Sequence, residues 1–164
     1  MRPLNNLNMI LAHTEDGGIG YKNTIPWKCS SDMSFFKNIT TDKSVIMGYN
    51  TFASLGFKAL PNRCNFLFSE RKIKDQVSVP VLDLDEMLEV VSENSDREYF
   101  VIGGTNTYEK FMPYVSKAYI STIDNSCVKE GQHIDTYMPV MPLDFNLQGV
   151  PHGDSSCVIR CYVR

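Results

Sequence analysis

The sequence predicts a single-domain α/β fold with a mainly parallel central β-sheet flanked by helices and an antiparallel hairpin at the C-terminus. Three observations support this prediction. Short apolar segments of strand length recur along the chain, and segments with helical spacing separate them. The last strand-like segment follows a stretch too short to contain a crossover helix. The length of 164 residues is ordinary for one domain, so we expect residues 1–164 to form a single unit.

The candidate strands are short runs rich in β-branched and aromatic residues, which favour buried strands. They are residues 9–12, 45–47, 66–68, 99–102 and 118–123, followed by 157–163. Residues 149–156 are rich in turn-forming types, so the final strand is expected to join its neighbour as an antiparallel hairpin.

Two segments have apolar residues at the helical spacing i, i+3, i+4 and i+7. The residues are Leu84, Met87, Leu88 and Val91 in the first segment, and Tyr108, Phe111, Met112 and Val115 in the second. Asp83 and Glu86 form the capping pattern that begins a helix. Gly103-Gly104 precedes the second segment, so a strand is predicted to lead through a glycine turn into a helix.

Composition excludes several classes of partner. Sixteen basic and 19 acidic residues give a net charge of −3, without the dense basic runs of proteins that bind nucleic acids or membrane surfaces. The five cysteines include no C-x-x-C pair, so neither a disulfide framework nor a zinc site is predicted and no metal is expected. The N-terminus lacks the apolar stretch of a signal peptide, which favours a cytoplasmic location.

Asp32 is the most informative polar residue. If residues 30–39 form a helix, Asp32 shares an apolar stripe with Phe35, Phe36 and Ile39. A carboxylate in a cleft would suit binding of a cationic or amidine-like group, or proton handling. Alternatively, a serine at position 30 or 31 caps the helix and Asp32 only occupies the first turn, where the helix dipole favours it. The spacing alone leaves both interpretations open.

Glycine turns indicate a second kind of site. Residues 17–20 are either a loop that closes over a ligand or a plain surface turn. Gly103-Gly104 suits either phosphate binding at a helix start or close strand-to-helix packing. Residues 48–51 form another junction of this kind, and two such helix starts in one small sheet suggest a dinucleotide.

Several motifs occur together in an order that resembles the dihydrofolate reductase family, over about residues 8 to 163. They are Ile19-Gly20, Asn23 and Pro26-Trp27; Asp32, Phe36 and Thr40; Val45-Ile46-Met47-Gly48 with Thr51 and Ser54; Leu60-Pro61-Asn62-Arg63; Ile102-Gly103-Gly104 with Tyr108; and Asp135-Thr136-Tyr137-Met138-Pro139. Each motif is weak alone, and their common order makes the resemblance strong.

The resemblance implies reduction of 7,8-dihydrofolate to tetrahydrofolate. A hydride would pass from C4 of NADPH to C6 of the pterin after a proton reaches N5. Asp32 would bind the 2-amino and N3 side of the pterin, and Trp27 and Ser121 would steady the pterin and a bound water. The pterin and benzoyl groups would be lined by Ile10, Leu11, Met33, Phe36, Leu55 and Ile102. Arg63, helped by Lys37, would hold the glutamate α-carboxylate.

The resemblance also implies a cofactor site. Ala12 would contact the nicotinamide carboxamide, and residues 17–23, including Ile19 and Gly20, would form a closing loop. The pyrophosphate and adenosine parts would be held by Gly48, Tyr49, Asn50, Thr51, Ser69, Arg71, Gly103, Gly104, Thr105, Asn106, Thr107 and Tyr108. The peptide bond between the paired glycines is expected to be cis, as in the family.

Three residues depart from the family pattern. Tyr49 and Asn106 stand where many relatives carry arginines near the 2′-phosphate, which weakens the expected preference for NADPH over NADH. Ser121 replaces a usual threonine and keeps the hydroxyl. The alternatives are a related pterin or pyrimidine reductase, or a binding protein that has lost turnover. A monomer is favoured.

Overall fold

The computed structural model describes residues 2–20, 25–73, 77–139 and 141–164. The described chain contains ten strands and four α-helices. The strands are β1 (Leu4–Thr14), β2 (Gly18–Gly20), β3 (Ser44–Met47), β4 (Cys64–Phe68), β5 (Val81–Leu82), β6 (Tyr99–Gly103), β7 (Val115–Ile123), β8 (Thr136–Tyr137), β9 (Asn146–Gly153) and β10 (Cys157–Val163). The helices are α1 (Ser30–Thr40), α2 (Tyr49–Ser54), α3 (Leu84–Glu93) and α4 (Thr105–Phe111), and short 3-10 turns occupy Met112–Tyr114 and Asn125–Cys127.

Eight strands form the central sheet in the order β5-β4-β3-β6-β1-β7-β10-β9. The pairs from β5 across to β7 are parallel, and β10 is antiparallel to both β7 and β9. A second sheet pairs only β2 with β8. The predicted fold class, the parallel strands and the antiparallel C-terminal hairpin are therefore confirmed.

Two apolar clusters cover the two faces of the sheet. Leu7, Met9 and Val101 pack on one face with buried residues of α3 and α4. Ile10 and Val45 pack on the other face with residues of α1 and α2. Successive strand residues point to opposite faces, so neighbours such as Met9 and Ile10 belong to different clusters. This burial of both faces explains why the parallel strands appear in the sequence as continuous apolar runs.

Local signals in the sequence located α3 well. Asp83 accepts a hydrogen bond from the Glu86 N–H at 2.9 Å, and the Glu86 side chain accepts one from the Asp83 N–H at 3.1 Å. This is the predicted capping box. Met87, Leu88 and Val91 are buried, as their spacing predicted.

Two other predictions were wrong in detail, and serine capping of α1, an alternative that the sequence left open, is not observed. The helix after the glycine turn ends at Phe111, and Val115 begins β7, because Pro113 redirects the chain into a 3-10 turn. Much of the expected turn over 149–156 is strand, since β9 continues to Gly153 against β10. Neither Ser30 nor Ser31 caps α1, because Cys29 occupies the N-cap and makes no side-chain capping bond.

No helix within the described ranges has the length and apolar character needed to cross a membrane.

Candidate active site

The carboxyl ends of β1, β3, β6 and β7 meet at one edge of the sheet, where α2 and α4 begin. In open α/β sheets this edge is where ligands bind, because the connecting turns leave a crevice there. The predicted site residues on these elements therefore come together, although the strands that carry them are far apart in the sequence.

The two glycine junctions pack directly against each other. Gly48 donates its N–H to the Gly103 carbonyl at 2.8 Å, and the Gly103-Gly104 peptide is cis, as expected. Gly103 has φ of +133°, and a Cβ at this position would lie 3.1 Å from the Thr51 hydroxyl. A Cβ at Gly48 would collide with the Thr107 hydroxyl. Close packing of the two turns is thus present, and phosphate binding by the same turns stays a prediction.

Tyr108 ties α4 to the central strand. Its buried hydroxyl donates a 2.8 Å hydrogen bond to the Ile10 carbonyl. Burial, and secondarily the negative charge of Asp32, raises the pKa of Tyr108. The phenol therefore remains protonated and acts as a hydrogen-bond donor, and its predicted contact with the cofactor would have to use the ring or the backbone.

Asp32 lies in the first turn of α1 and is turned towards the sheet. Burial raises the pKa of its carboxyl group, and a hydrogen bond with Ser121 opposes part of that rise. Ser121 is only 1% exposed and stands beside Ala12 in the register of β1 with β7. Of the two interpretations of the spacing, the inward carboxylate is confirmed.

Trp27 is buried in a third apolar cluster, which brings it near the same end of α1. Its neighbours there include Ile123 and Ile159, with Ala12 and Phe35 packed at the edge. The predicted catalytic group of Asp32, Ser121 and Trp27 is therefore carried by three elements that converge around the end of β1.

The predicted pterin-lining residues fall into two groups. Ile10 is buried, and Phe36, Leu55 and Ile102 are partly buried against the same cluster. Leu11 packs in the cluster on the opposite face of the sheet, so only its backbone can face the same cavity. Met33 is 63% exposed and lies outside both clusters. The structure thus brings four of these six residues together.

Arg63 is partly buried at the far end of α1. Its Nη1 donates to the Thr40 hydroxyl at 3.1 Å, its Nε donates to the Pro61 carbonyl at 2.9 Å, and its guanidinium lies 5.9 Å from the centre of the Phe36 ring. Burial lowers the pKa of Arg63. Among the residues the structure describes, it forms no ion pair with an acidic side chain. Lys37 is exposed one turn before Thr40.

The Thr40 contact was missed in the sequence. Thr40 is fully buried and donates to the Phe36 carbonyl at 2.7 Å while it accepts from Arg63. Its place in the family's motif order was the only signal, because the partner arginine is distant in the chain and no local pattern links the two.

Of residues 17–20, Gly18–Gly20 form β2 of the small sheet. Gly18 and Gly20 pair with Tyr137 and Thr136, and a Cβ at Gly18 would lie 2.5 Å from the Ile134 side chain. Ile19 packs against the cluster that also contains Leu11. The predicted closing loop extends to Asn23, and residues 21–24 lie outside the described part of the chain.

The residues expected near the adenosine are mostly at the surface. Tyr49 is 45% exposed and its ring lies 5.7 Å from that of Phe57. The Ser69 hydroxyl accepts from the Arg71 N–H at 3.2 Å and donates to the Arg71 carbonyl at 2.7 Å. This turn leaves the Arg71 side chain exposed. Asn50 and Asn106 are also exposed, whereas Thr51 and Thr105 are partly buried.

Sequence comparison identifies relatives over most of the chain. A sequence model of the family described as dihydrofolate reductase matches residues 6–154. The dihydrofolate reductase of Buchnera aphidicola subsp. Acyrthosiphon pisum is 33% identical over 134 residues, which cover 82% of this chain and 79% of the relative. That of Staphylococcus haemolyticus is 33% identical over 138 residues, covering 84% and 79%.

Structural comparison gives the same fold. A dihydrofolate reductase from Enterococcus faecalis, solved with NADP(H) and RAB-propyl, superposes with a TM-score of 0.80. The alignment covers 100% of this chain and 99% of that one at 23% sequence identity, so it supports the fold alone. With the family match over residues 6–154 and the relatives above 30% identity, the chain belongs to the dihydrofolate reductase family.

Proposed function

We propose that the chain binds the pterin of 7,8-dihydrofolate beside Asp32 and binds NADPH along the Gly48 and Gly103-Gly104 turns. As a member of this family, it is an oxidoreductase that reduces dihydrofolate to tetrahydrofolate with NADPH. The observation that carries the site assignment is the inward Asp32 carboxyl group, which is partly desolvated and faces the Ser121 hydroxyl.

The chemistry of the pterin explains why a carboxylate is useful here. The 2-amino group and N3 offer two adjacent donors, which a carboxylate can accept side by side. Protonation of N5 places positive charge on the ring before the hydride is transferred, and the hydride then neutralises that charge. A negative group fixed in a poorly solvated cleft stabilises that charge without having to reorganise. Among the residues that the structure describes, Asp32 is the acidic side chain that burial places in such a poorly solvated position.

Ser121 and Trp27 would position this carboxylate and the ring. The Ser121 hydroxyl holds Asp32 from the strand side, and its near-complete burial fixes its orientation. Trp27 packs against the chain segment that enters α1 and shields it from bulk water. Both residues therefore act by alignment, which accounts for a large share of catalysis when reacting atoms must meet at short range.

Arg63 would bind the α-carboxylate of the glutamate tail. The Thr40 hydroxyl and Pro61 carbonyl each occupy one guanidinium nitrogen, while other N–H groups remain for a ligand. A partly buried arginine without an acidic partner among the described residues suits an anionic ligand. Lys37 would add a second positive charge nearby.

The cofactor fits the two glycine turns. The first turn of α4 has backbone N–H groups without helical acceptors, and the Thr51 hydroxyl lies beside them, so the donors suit a pyrophosphate. A Cβ at Gly104 would meet only the Thr51 hydroxyl, at 3.8 Å, which leaves that side of the turn open. When bound, NADPH supplies the hydride. The chain aligns it with the pterin and excludes water.

We further propose a cytoplasmic monomer with small-molecule partners. All five cysteines, which lie in the described ranges, are free thiols, as is common in a reducing compartment. The net charge of −3 argues against binding to nucleic acid or anionic membranes.

The test is loss of absorbance at 340 nm with NADPH and dihydrofolate, compared with NADPH alone. Turnover that needs both compounds supports the proposal. Binding of both without turnover would instead indicate a binding protein that has kept the fold, and turnover only with another pterin or a pyrimidine would indicate a related reductase.

A further inference from the structure

Three of the five cysteines, distant in sequence, meet beneath the start of α1. Cys29 is the N-cap of α1, Cys127 ends the 3-10 turn after β7, and Cys157 begins β10. The Cys29 thiol interacts with the thiols of both Cys127 and Cys157. None of these sulfurs has a role in the proposed reduction of dihydrofolate.

The backbone holds Cys29 and Cys127 on neighbouring segments. Trp27 and Val128 form an isolated antiparallel bridge. Two backbone hydrogen bonds flank it, Lys28 N–H to Cys127 O at 3.1 Å and Lys129 N–H to Pro26 O at 2.9 Å. In this register Cys127 lies opposite Lys28, and Cys29 is the next residue along the chain. Both thiols contact Ser156: the Cys29 thiol donates to the Ser156 hydroxyl at 3.5 Å, and the Cys127 thiol donates to the Ser156 carbonyl at 3.8 Å. The two sulfurs therefore lie near each other around one residue.

The environment of Cys29 favours its thiolate. Burial acts to raise the pKa of the Cys29 thiol, but its hydrogen bonds with the hydroxyls of Ser31 and Ser156, both at 3.5 Å, outweigh burial and lower the pKa. The Asp32 N–H adds a weaker polar interaction at the start of α1, short of a capping hydrogen bond. A thiolate at a helix N-terminus with hydroxyl donors is the nucleophilic form in thiol–disulfide exchange.

Exposure distinguishes the two possible partners of Cys29. Cys157 is only 2% exposed, so a reagent in solution does not reach it. Burial, with lesser effects that include the charge of Asp154, raises the pKa of Cys157 to about 11, and the thiol stays protonated. Burial and then the charge of Cys29 also raise the pKa of Cys127, so exposure is what separates the two partners: Cys127 is partly exposed and can be reached from solvent. Cys127 is therefore the first point of attack, with Cys29 behind it.

We propose that Cys29 and Cys127 form a reversible disulfide when a low-molecular-weight disulfide is present. Cys127 first exchanges with the reagent, forming a mixed disulfide and releasing one small thiol. The Cys29 thiolate then attacks the Cys127 sulfur, breaks the mixed disulfide and expels the second small thiol. In the net reaction two protein thiols are oxidised to one disulfide, and the reagent is reduced to two thiols, which carry the two protons.

The test uses oxidised glutathione at pH 8.5, followed by alkylation, trypsin digestion and mass spectrometry without reductant. Each cysteine lies on a different tryptic peptide, so every linkage gives a distinct mass. The peptides are 29–37, 64–71, 118–129, 130–160 and 161–164. The proposal requires a linked pair of 29–37 with 118–129 that disappears after dithiothreitol. It is overturned if 29–37 remains unlinked, or if its link is to 130–160.

Two variants make the result specific. Cys64→Ser lacks the exposed thiol of β4 and keeps Cys29 and Cys127. Its four remaining thiols should therefore fall to two when Cys29 and Cys127 form the disulfide. In Cys127→Ser, peptide 29–37 should stay unlinked. Because Cys127 is partly exposed, we expect this variant to fold. A near-UV circular dichroism spectrum like that of the wild type confirms that it does. A 29–37 linkage that persists in Cys127→Ser would overturn the pairing. The mass-spectrometric readout does not depend on turnover. The disulfide can therefore be absent while dihydrofolate reduction is observed, and the disulfide can form in a protein that shows no reduction.

Discussion

The carboxyl group of Asp32 on α1 and the hydroxyl of Ser121 on β7 interact across the end of the central strand. Ser121 is buried between Ala12 on β1 and Ile159 on β10 in the sheet register, so its hydroxyl has little freedom. Burial of the carboxyl group and this single hydroxyl contact act on its pKa in opposite directions, and burial has the larger effect. This balance underlies the first two predictions.

Asp32→Asn should remove most turnover at neutral pH while the fold is retained. The amide has the same shape but lacks the charge that stabilises a protonated pterin, so kcat should fall roughly 10²- to 10³-fold. The measurement is kcat at pH 7 beside the far-UV circular dichroism spectrum. Asp85→Asn, an exposed acid in the first turn of α3, is the matched control and should leave kcat unchanged. A rate near that of the wild type in Asp32→Asn would contradict the assignment of Asp32.

The same substitution should increase stability in a pH-dependent way. Burial raises the folded-state pKa of Asp32 above its ordinary value of 3.8, so the folded state binds the proton more tightly than the unfolded state. This contribution to stability is complete below pH 3.8 and is lost as pH rises through the folded pKa. The urea midpoint of Asp32→Asn should therefore exceed that of the wild type by an amount that grows as pH rises from 4 through the folded pKa of Asp32 and is constant above it.

Asp124→Asn should show the opposite trend and serves as the control for sign. Hydrogen bonds from the Ser126 hydroxyl and N–H lower the pKa of Asp124, so its contribution is present above its ordinary pKa and lost in acid. The Asn variant should be less stable than wild type at pH 7, with the gap closing as pH falls. A pH-independent gain in Asp32→Asn would show that the Asp32 carboxyl group is not desolvated.

Arg63→Ala should weaken dihydrofolate binding and barely affect a pterin without the glutamate tail. Losing a charge-assisted contact costs about 1.5 to 3 kcal/mol, or roughly ten- to a hundredfold in affinity. Dissociation constants for both ligands provide the measurement. Arg2→Ala, an exposed arginine near the N-terminus, is the matched control. Equal losses for the two ligands would refute the carboxylate contact.

Thr40→Val should give a smaller loss in the same direction. It removes the hydroxyl that accepts from Arg63 at 3.1 Å but leaves the guanidinium in place. If Arg63 binds the glutamate tail, Thr40→Val should weaken dihydrofolate binding selectively but by a smaller amount than Arg63→Ala, about 0.5 to 1.5 kcal/mol in binding free energy.

Arg71→Ala should remove most of the preference for NADPH over NADH and leave use of NADH almost unchanged. Tyr49 is neutral and exposed, so we expect Arg71, whose backbone bonds to the Ser69 hydroxyl and whose side chain is exposed, to read the 2′-phosphate, at about 1.5 to 3 kcal/mol. The measurement is kcat/KM for both cofactors in both proteins, with Lys72→Ala as control. Equal use of NADH by the wild type, or equal harm to both cofactors, would show that this phosphate site is wrong.

Gly103→Ala should destabilise the protein and weaken NADPH binding more than Gly104→Ala. Gly103 has φ of +133°, and its Cβ would lie 3.1 Å from the Thr51 hydroxyl, whereas a Cβ at Gly104 would lie 3.8 Å from it. A strained backbone position of this kind costs about 1 to 3 kcal/mol. Urea denaturation and fluorescence titration with NADPH give the two quantities. Similar values for the two variants would mean that the turn adjusts freely.

Local features were determined by the sequence alone. The capping box of Asp83 and Glu86 and the buried stripe of α3 depend on residues within one or two turns of each other, so their spacing was sufficient. The parallel strands were also recognisable, because burial on both faces requires continuous apolar runs. The position of Asp32 on an apolar stripe was visible in the same way. Whether Asp32 only occupies the first helical turn or faces inward could not be decided from the sequence.

Long-range contacts decided the rest. Val115 fits a helical pattern, but it pairs with Leu4 as the first residue of β7. Residues 149–153 have turn-forming composition, yet their pairing with β10 makes them a strand, because backbone hydrogen bonds to a neighbouring strand outweigh weak local preferences.

The site shows the same division. The family resemblance placed Leu11 with Ile10 in the pterin pocket, but the pleat of β1 sends the two side chains to opposite faces. Thr40 reaches Arg63 only because α1 packs beside the start of β4. The sequence alone therefore determined which residue types the site contains and the order in which they occur. The pairing of distant strands decided which of them touch, since such contacts depend on partners that no local window includes.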